Sequence, residues 1–240
     1  MKIIVCENYE EMSKAGAEII AETVKANPSC VLGLATGSTP VGMYKCLTEM
    51  NKAGEITFKD VTSYNLDEYY PLAPDHDQSY RYFMNHNLFN HVDIDKAKTH
   101  VPDGLAEDPA AMGKAYDEAI KAAGGIDLQV LGLGPNGHIA FNEPEDELYV
   151  GTHLTGLTDS TIEANSRFFA SKADVPTQAV TMGIGSIMQA KKIIVLASGK
   201  GKHDVIVKMQ DDRITTQCPA TLLKVHPDVV LICDKDAYNG

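Results

Sequence analysis

A mostly parallel α/β sheet flanked by helices is the architecture that this sequence predicts, and three observations predict it. Short runs rich in Val, Ile and Leu recur at 3–6, 30–35, 61–66, 128–133, 178–182, 193–197 and 229–233. Helix-like stretches lie between several of them, at 11–26, 40–53, 109–123 and 202–210. Continuously apolar strands are those buried on both faces, and strands alternating with helices form right-handed βαβ units. The third observation is negative. No internal repeat, low-complexity run or Pro/Ser-rich linker divides the 240 residues, so they read as a single-domain open sheet.

Taken in order, Ile3-Ile4-Val5-Cys6 is a short apolar strand, followed by the helix at 11–26. The run at 30–35 passes into Gly33-Leu34-Ala35-Thr36-Gly37-Ser38-Thr39-Pro40, with Pro40 suited to the first turn of the next helix. The run at 61–66 ends in Asp67-Glu68-Tyr69-Tyr70. A polar loop at 70–77 then leads to a helix near 82–89. After the helix at 109–123, the run at 128–133 stops at a glycine-rich turn. Residues 145–173 are polar, with scattered Thr, Gly and Ser and weak periodicity. Such a long irregular segment reads as a lid or binding loop, with a peripheral hairpin as the other reading. Strands at 178–182, 193–197 and 229–233 close the pattern, with a helix at 202–210.

Composition removes several classes of function. Hydrophobic residues at 44% and charged residues at 22% are ordinary for a soluble globular protein. A net charge of -12 argues against nucleic acid or a membrane surface as partner, since neither offers positive charge. A small anionic substrate is compatible only if cations gather locally. The cysteines at 6, 30, 46, 218 and 233 form no Cys-x-x-Cys motif and read as buried reduced thiols. With no signal-peptide core and no apolar run of transmembrane length, a cytoplasmic protein is expected. No histidine spacing suits a metal, so none is assigned.

The chemistry concentrates in four places. In Gly132-Leu133-Gly134-Pro135-Asn136-Gly137-His138-Ile139-Ala140-Phe141-Asn142-Glu143-Pro144, an imidazole and a carboxylate follow a buried strand, five residues apart. The C-terminal ends of parallel strands deliver such groups to the ligand crevice. The segment matches G-x-G-x-x-G, but Pro144 closes it before a long helix can form, and a dinucleotide site is rejected. The Gly37-Ser38-Thr39 turn offers amides and hydroxyls to a phosphate, or simply caps a helix. It lacks the Lys-Ser/Thr pair of a nucleotide-binding P-loop. Asp67 and Glu68 stand where a buried strand ends, so at least one faces the crevice as a candidate general base; turn or cap duty is the alternative. Arg167, in Asn165-Ser166-Arg167-Phe168-Phe169, and Lys202, after the strand at 193–197, are candidate phosphate cations or plain surface charges.

Together, Ala35-Thr36-Gly37-Ser38-Thr39-Pro40, Asn65-Leu66-Asp67-Glu68-Tyr69, Gly137-His138-Ile139-Ala140-Phe141-Asn142-Glu143-Pro144 and Asn165-Ser166-Arg167-Phe168-Phe169 closely resemble the glucosamine-6-phosphate deaminase family. The resemblance runs through nearly the whole chain, to Leu223-Lys224-Val225-His226-Pro227. It implies a modified Rossmann-like (NagB-like) fold and conversion of glucosamine 6-phosphate and water to fructose 6-phosphate and ammonia, without a cofactor. Asp67 matches the base that moves the C2 proton. His138 matches the group that opens the pyranose ring, assisted by Asn136 and Glu143. The phosphosugar's phosphate is expected at Gly37, Ser38 and Thr39, with Arg167 and Lys202.

Two departures from the family stand out. Many members carry Asp where this chain has Asn136, which can orient an imidazole but not balance its charge. The hexameric members activated by N-acetylglucosamine 6-phosphate have basic residues in place of His153 and Thr155, and a longer C-terminal tail; no such activation is expected here. Monomer and homo-oligomer both stay open. The enzymatic rival, 6-phosphogluconolactonase, typically continues its Gly-His turn with a Thr-Ala-Ser-Leu-Phe-type run and carries a tryptophan this chain lacks. A non-catalytic sugar-phosphate sensor would need a DNA-binding module, which the acidity disfavours.

Overall fold

The computed structural model describes residues 1–166, 169 and 171–240. The elements run β1 (Lys2–Cys6), α1 (Tyr9–Ala26), β2 (Val31–Leu34), α2 (Val41–Lys52), β3 (Thr62–Asn65), β4 (Asp67–Tyr70), α3 (Tyr80–Met84), β5 (Thr99–His100), α4 (Pro109–Ala122) and β6 (Leu128–Gly132). They continue with β7 (His153–Gly156), α5 (Asp159–Asn165), β8 (Gln178–Thr181), α6 (Ile184–Met188), β9 (Lys192–Ala197), α7 (His203–Gln210), β10 (Val229–Asp234) and α8 (Lys235–Asn239). Every apolar run of the sequence is a strand. Pro40 sits one position before its helix, as N-cap of α2.

Seven strands form the main sheet in the order β1-β10-β9-β6-β2-β3-β5, and every pairing in it is parallel. Strands β2, β6 and β10 carry the core, with Leu128, Val130, Leu131, Leu231 and Ile232 fully inaccessible. The edge strand β1 is the exception: Val5 remains 42% exposed. Helix α1 begins at Asn8, whose side chain accepts from the Glu11 amide, and buries Met12, Ala17, Ile20, Ala21 and Val24. That spacing is one face of a 3.6-residue period.

One run departs from the expected layout. Residues 178–182 supply β8, the middle of a second, antiparallel sheet in the order β4-β8-β7. Its partner β7 comes from the weakly periodic 145–173 stretch, which thus builds a small sheet as well as α5. The four-residue β7 was hidden because a half-buried strand with Thr, His and Gly carries little apolar signal.

The two sheets meet at Leu66, between β3 and β4, whose carbonyl accepts the Met182 amide at 2.7 Å. The β6 turn is stitched to the same place: Asn142 Nδ2 donates to the Met182 carbonyl at 2.9 Å, and the Phe141 amide donates to Thr181 Oγ1 at 3.0 Å. Thr181 is in turn the register partner of Asp67. Successive strands leave β2 in opposite directions across the sheet, to β3 on one side and β6 on the other. A crevice opens at such a reversal, at the C-terminal ends of the strands.

Candidate active site

A cavity of about 230 Å³ occupies that crevice. Its wall includes Gly37, Ser38 and Thr39 after β2, Asp67 at the start of β4, Asn136 and His138 after β6, and Lys202 after β9. Seven of the nine residues that the family resemblance assigned to the site therefore line one space. Glu143 stands behind His138, within bonding distance of it. Arg167 lies outside the described residues.

The turn after β6 is built around His138. The Gly134 amide donates to the His138 carbonyl at 3.0 Å. A Cβ on Gly134 would fall 2.5 Å from three atoms of the imidazole, so glycine is what lets the ring lie against the backbone. Gly137 has φ +90°, and its missing side chain leaves room for Cys218 Sγ. Asn136 Oδ1 accepts the His138 amide at 3.1 Å, while its Nδ2 donates to Glu143 Oε2 at 2.7 Å. The same Oε2 lies 3.2 Å from His138 Nδ1.

Glu143 is thus a hub. Its Oε1 accepts from Thr158 Oγ1 at 3.3 Å and from Thr161 Oγ1. Burial alone would raise its pKa, but the bonds from His138, Thr161 and Asn136 and the His138 charge outweigh it and hold the carboxyl at about 2. An ionised Glu143 can only accept, so Nδ1 carries the hydrogen and Nε2 is left to act as a base. Neither Thr158 nor Thr161 was picked out in the sequence. Thr158 caps α5 through the Thr161 amide, and a threonine ahead of Asp159 is the one signal that a helix begins there. Its second bond, to Glu143, has no local signature.

Asp67 presents the opposite case. It is 6% exposed, and burial, reinforced by the neighbouring Glu68 carboxylate, pushes its pKa up to about 8. Of the two acids at that strand end, Asp67 is the one in the cavity wall. Glu68 points the other way, as alternate residues of a strand must, and accepts backbone amides of Tyr69, Tyr80 and Arg81. Tyr80 and Phe141 close the cavity beside Asp67, and Ser160, Thr161 and Asn165 of α5 contribute to another wall.

At the other end, the β2–α2 turn is held from behind. Tyr44 of α2 donates its hydroxyl to the Ala35 carbonyl at 2.5 Å. Tyr9 of α1 donates to the Ser38 carbonyl at 3.1 Å and accepts the Gly42 amide at 2.9 Å. The helix therefore takes its cap from Tyr9, and no side chain caps it from its N-cap position, Pro40. The Lys202 loop is anchored by Asp234, which accepts the Ser198 hydroxyl and the Gly199 amide at 3.0 Å. Among the described residues no cluster of three His, Cys, Asp or Glu side chains converges as a metal would require.

A strand-end crevice holding an imidazole–carboxylate pair, a second carboxyl with raised proton affinity, and an amide, hydroxyl and lysine end defines an α/β enzyme built for acid–base chemistry. The model for the family of glucosamine-6-phosphate isomerases/6-phosphogluconolactonase matches residues 7–231. The chain belongs to this family. A glucosamine-6-phosphate deaminase of Clostridium perfringens (strain 13 / Type A) is 62% identical over 237 residues, covering 99% of this chain and 98% of the relative. One from Thermoanaerobacter pseudethanolicus is 56% identical over 239 residues, covering 100% of this chain and 94% of the relative. Among solved structures, a monomeric glucosamine-6-phosphate deaminase superimposes with a TM-score of 0.96 at 40% identity, covering 99% of this chain and 98% of that one. A 6-phosphogluconolactonase from Trypanosoma cruzi shares the fold, with a TM-score of 0.78 at 22% identity over 98% of this chain and 95% of that one.

Proposed function

We propose that this enzyme converts glucosamine 6-phosphate and water to fructose 6-phosphate and ammonia, with ring opening at His138 and C2 proton transfer at Asp67. The observation that carries the reading is the pairing, in one cavity, of an imidazole backed by an ionised Glu143 with a desolvated Asp67. The phosphate belongs at Gly37, Ser38 and Thr39 with Lys202 and, from its position in the sequence, Arg167. His138 Nε2 takes the proton of the anomeric hydroxyl and delivers one to the ring oxygen, while Glu143 balances the transient imidazolium. In the open aldehyde, ionised Asp67 removes the C2 hydrogen and the electron pair forms the enol intermediate. The proton returns at C1, and water then replaces nitrogen at C2, releasing ammonia.

Proton transfers and one water suffice for these steps. Because Asp67 must be ionised to act, turnover rises with pH as Asp67 loses its proton. Residues 145–173 act as a cover over the sugar, supported by the α5 residues in the cavity wall. The whole chain works as one domain. A cytoplasmic setting fits the five free thiols, and among the described residues no helix is long and apolar enough to cross a membrane. The test is a coupled assay for fructose 6-phosphate and ammonia on wild type and Asp67→Asn. Both products are expected from wild type, with the variant losing at least about 100-fold. Full activity in Asp67→Asn removes Asp67 from this role, and turnover of 6-phosphogluconolactone without ammonia release replaces the reaction itself.

A further inference from the structure

Two tyrosines behind the β2–α2 turn take no part in the steps above. Tyr9 is the first residue of α1 and Tyr44 lies on α2, and neither lines the cavity. Tyr44 is fully buried and donates to the Ala35 carbonyl at 2.5 Å. Tyr9 donates to the Ser38 carbonyl at 3.1 Å and accepts the Gly42 amide at 2.9 Å. An amide only donates and a carbonyl only accepts, so the single hydroxyl hydrogen of Tyr9 must go to Ser38. Gly42 permits the approach: a Cβ there would lie 2.9 Å from the Tyr9 ring and 2.4 Å from Ser13 Oγ. A phenol suits the place because it donates to the carbonyl and accepts the amide at one atom, which neither Phe nor Lys can do.

These bonds have a consequence across the peptide planes. In a trans peptide the carbonyl of one residue and the N–H of the next lie in one plane and point in opposite directions. Both peptides concerned are trans. Holding the Ser38 carbonyl toward Tyr9 therefore turns the Thr39 amide away from Tyr9. Holding the Ala35 carbonyl toward Tyr44 likewise turns the Thr36 amide away from Tyr44. Thr36 and Thr39 both stand in the cavity wall. Between them Gly37 has φ +90°, and a Cβ there would meet nothing within 4 Å, so glycine serves the left-handed conformation and not a lack of space. An anion is cradled where N–H groups face it and carbonyls face away, because an inward carbonyl oxygen would repel it.

We propose that Tyr9 and Tyr44 are positioning residues of the phosphate end, their hydroxyls holding the Ser38 and Ala35 carbonyls outward so that the Thr39 and Thr36 amides present N–H to the phosphate of the sugar. The inference rests on the phosphate lying at Gly37, Ser38 and Thr39. Each tyrosine governs one peptide, and the two effects are separable.

The test uses Tyr9→Phe, which keeps the ring against Gly42 and removes only the hydroxyl, with Lys202→Ala as reference. Inorganic phosphate serves as the probe, in competition with glucosamine 6-phosphate. In Tyr9→Phe the KM of the substrate and the Ki of phosphate are expected to rise about tenfold, with kcat within about threefold of wild type. In isotopically labelled wild type titrated with phosphate, the Thr36 and Thr39 amide resonances should both move downfield. Tyr9→Phe should lose most of the Thr39 shift and keep that of Thr36, and Tyr44→Phe should do the reverse. A fall in kcat with KM and Ki unmoved overturns the proposal, as does an equal loss of both shifts, which general loosening of the turn would produce. Should Tyr9→Phe not fold, the wild-type titration decides. Thr36 and Thr39 amides that both respond support the proposal, and a Thr39 amide that stays in place as phosphate binds overturns it. An unchanged Ki in Lys202→Ala, with no resonance of the turn moving, removes the phosphate from this end and with it the reading beneath the proposal. A raised Ki in Lys202→Ala beside an unchanged one in Tyr9→Phe removes the tyrosines' role alone.

Discussion

Replacing Glu143 by Gln removes a charge from the candidate site and little else. The amide can keep Oε1 toward Asn136 Nδ2 and His138 Nδ1, and the Thr158 and Thr161 hydroxyls can turn to accept from its Nε2. What is lost is the attraction between carboxylate and imidazolium. Two unit charges 3.2 Å apart interact by about 5 kcal/mol at an effective dielectric constant near 20. In the ring-opening transition state the imidazole has taken up about half a charge, so about 2.5 kcal/mol is lost, near 70-fold in rate. The assay is fructose 6-phosphate formation from the cyclic substrate, run with protium and with deuterium at C2. Ring opening should become the slow step in Glu143→Gln, and the isotope effect on kcat should fall toward unity. Turnover within about threefold of wild type, or an undiminished isotope effect alongside reduced turnover, refutes the assignment of Glu143 to ring opening.

Further expectations follow from individual contacts. Asp67 has its pKa raised from 3.8 to about 8, so the folded state holds a proton that the unfolded chain has lost. That contribution to stability is complete below pH 3.8 and disappears as pH rises through about 8. Urea unfolding at pH 8 should therefore show Asp67→Asn to be more stable than wild type while inactive, with the difference vanishing below pH 4. Gly134→Ala drives a methyl into the His138 ring, whose three nearest atoms would be 2.5 Å away. Expected are a loss of about 1–3 kcal/mol in stability and at least tenfold in kcat; a crystal structure with the His138–Glu143 bond intact would count against this. Finally, His153 stacks on Tyr149 with ring centroids 4.3 Å apart, and burial lowers its pKa, so it offers no cation to an anionic effector. Steady-state kinetics should be hyperbolic and indifferent to N-acetylglucosamine 6-phosphate, and sigmoidal curves relieved by that ligand would overturn the expectation.

Much of the site was legible in the sequence because its parts are local. Glycines, a histidine and an acid at the end of an apolar run announce a strand-end turn whatever the rest of the chain does, and seven of the nine residues that the family resemblance assigned do line one cavity. Thr158 and Thr161 were not legible, because their bond to Glu143 spans 15 and 18 residues across a weakly patterned stretch. Glu68 was legible as an acid but not as a clamp, since its partners Tyr80 and Arg81 lie 12 and 13 residues on.

The amino-acid sequence alone marks the seven apolar strands and helices α1, α2, α4 and α7, because hydrophobic period and Gly/Pro punctuation are local properties of the chain; β4, β5, β7 and α5 escape it. It also determined which turns carry acid–base groups. Only the tertiary structure decided that 178–182 belongs to a second sheet, that β2 lies between β3 and β6, and that Asp67 rather than Glu68 enters the crevice. The last point turns on register. Side chains alternate with period two, so a shift of one residue in the pairing of Asp67 with Thr181 would exchange the two acids, and only the packed sheet fixes that register.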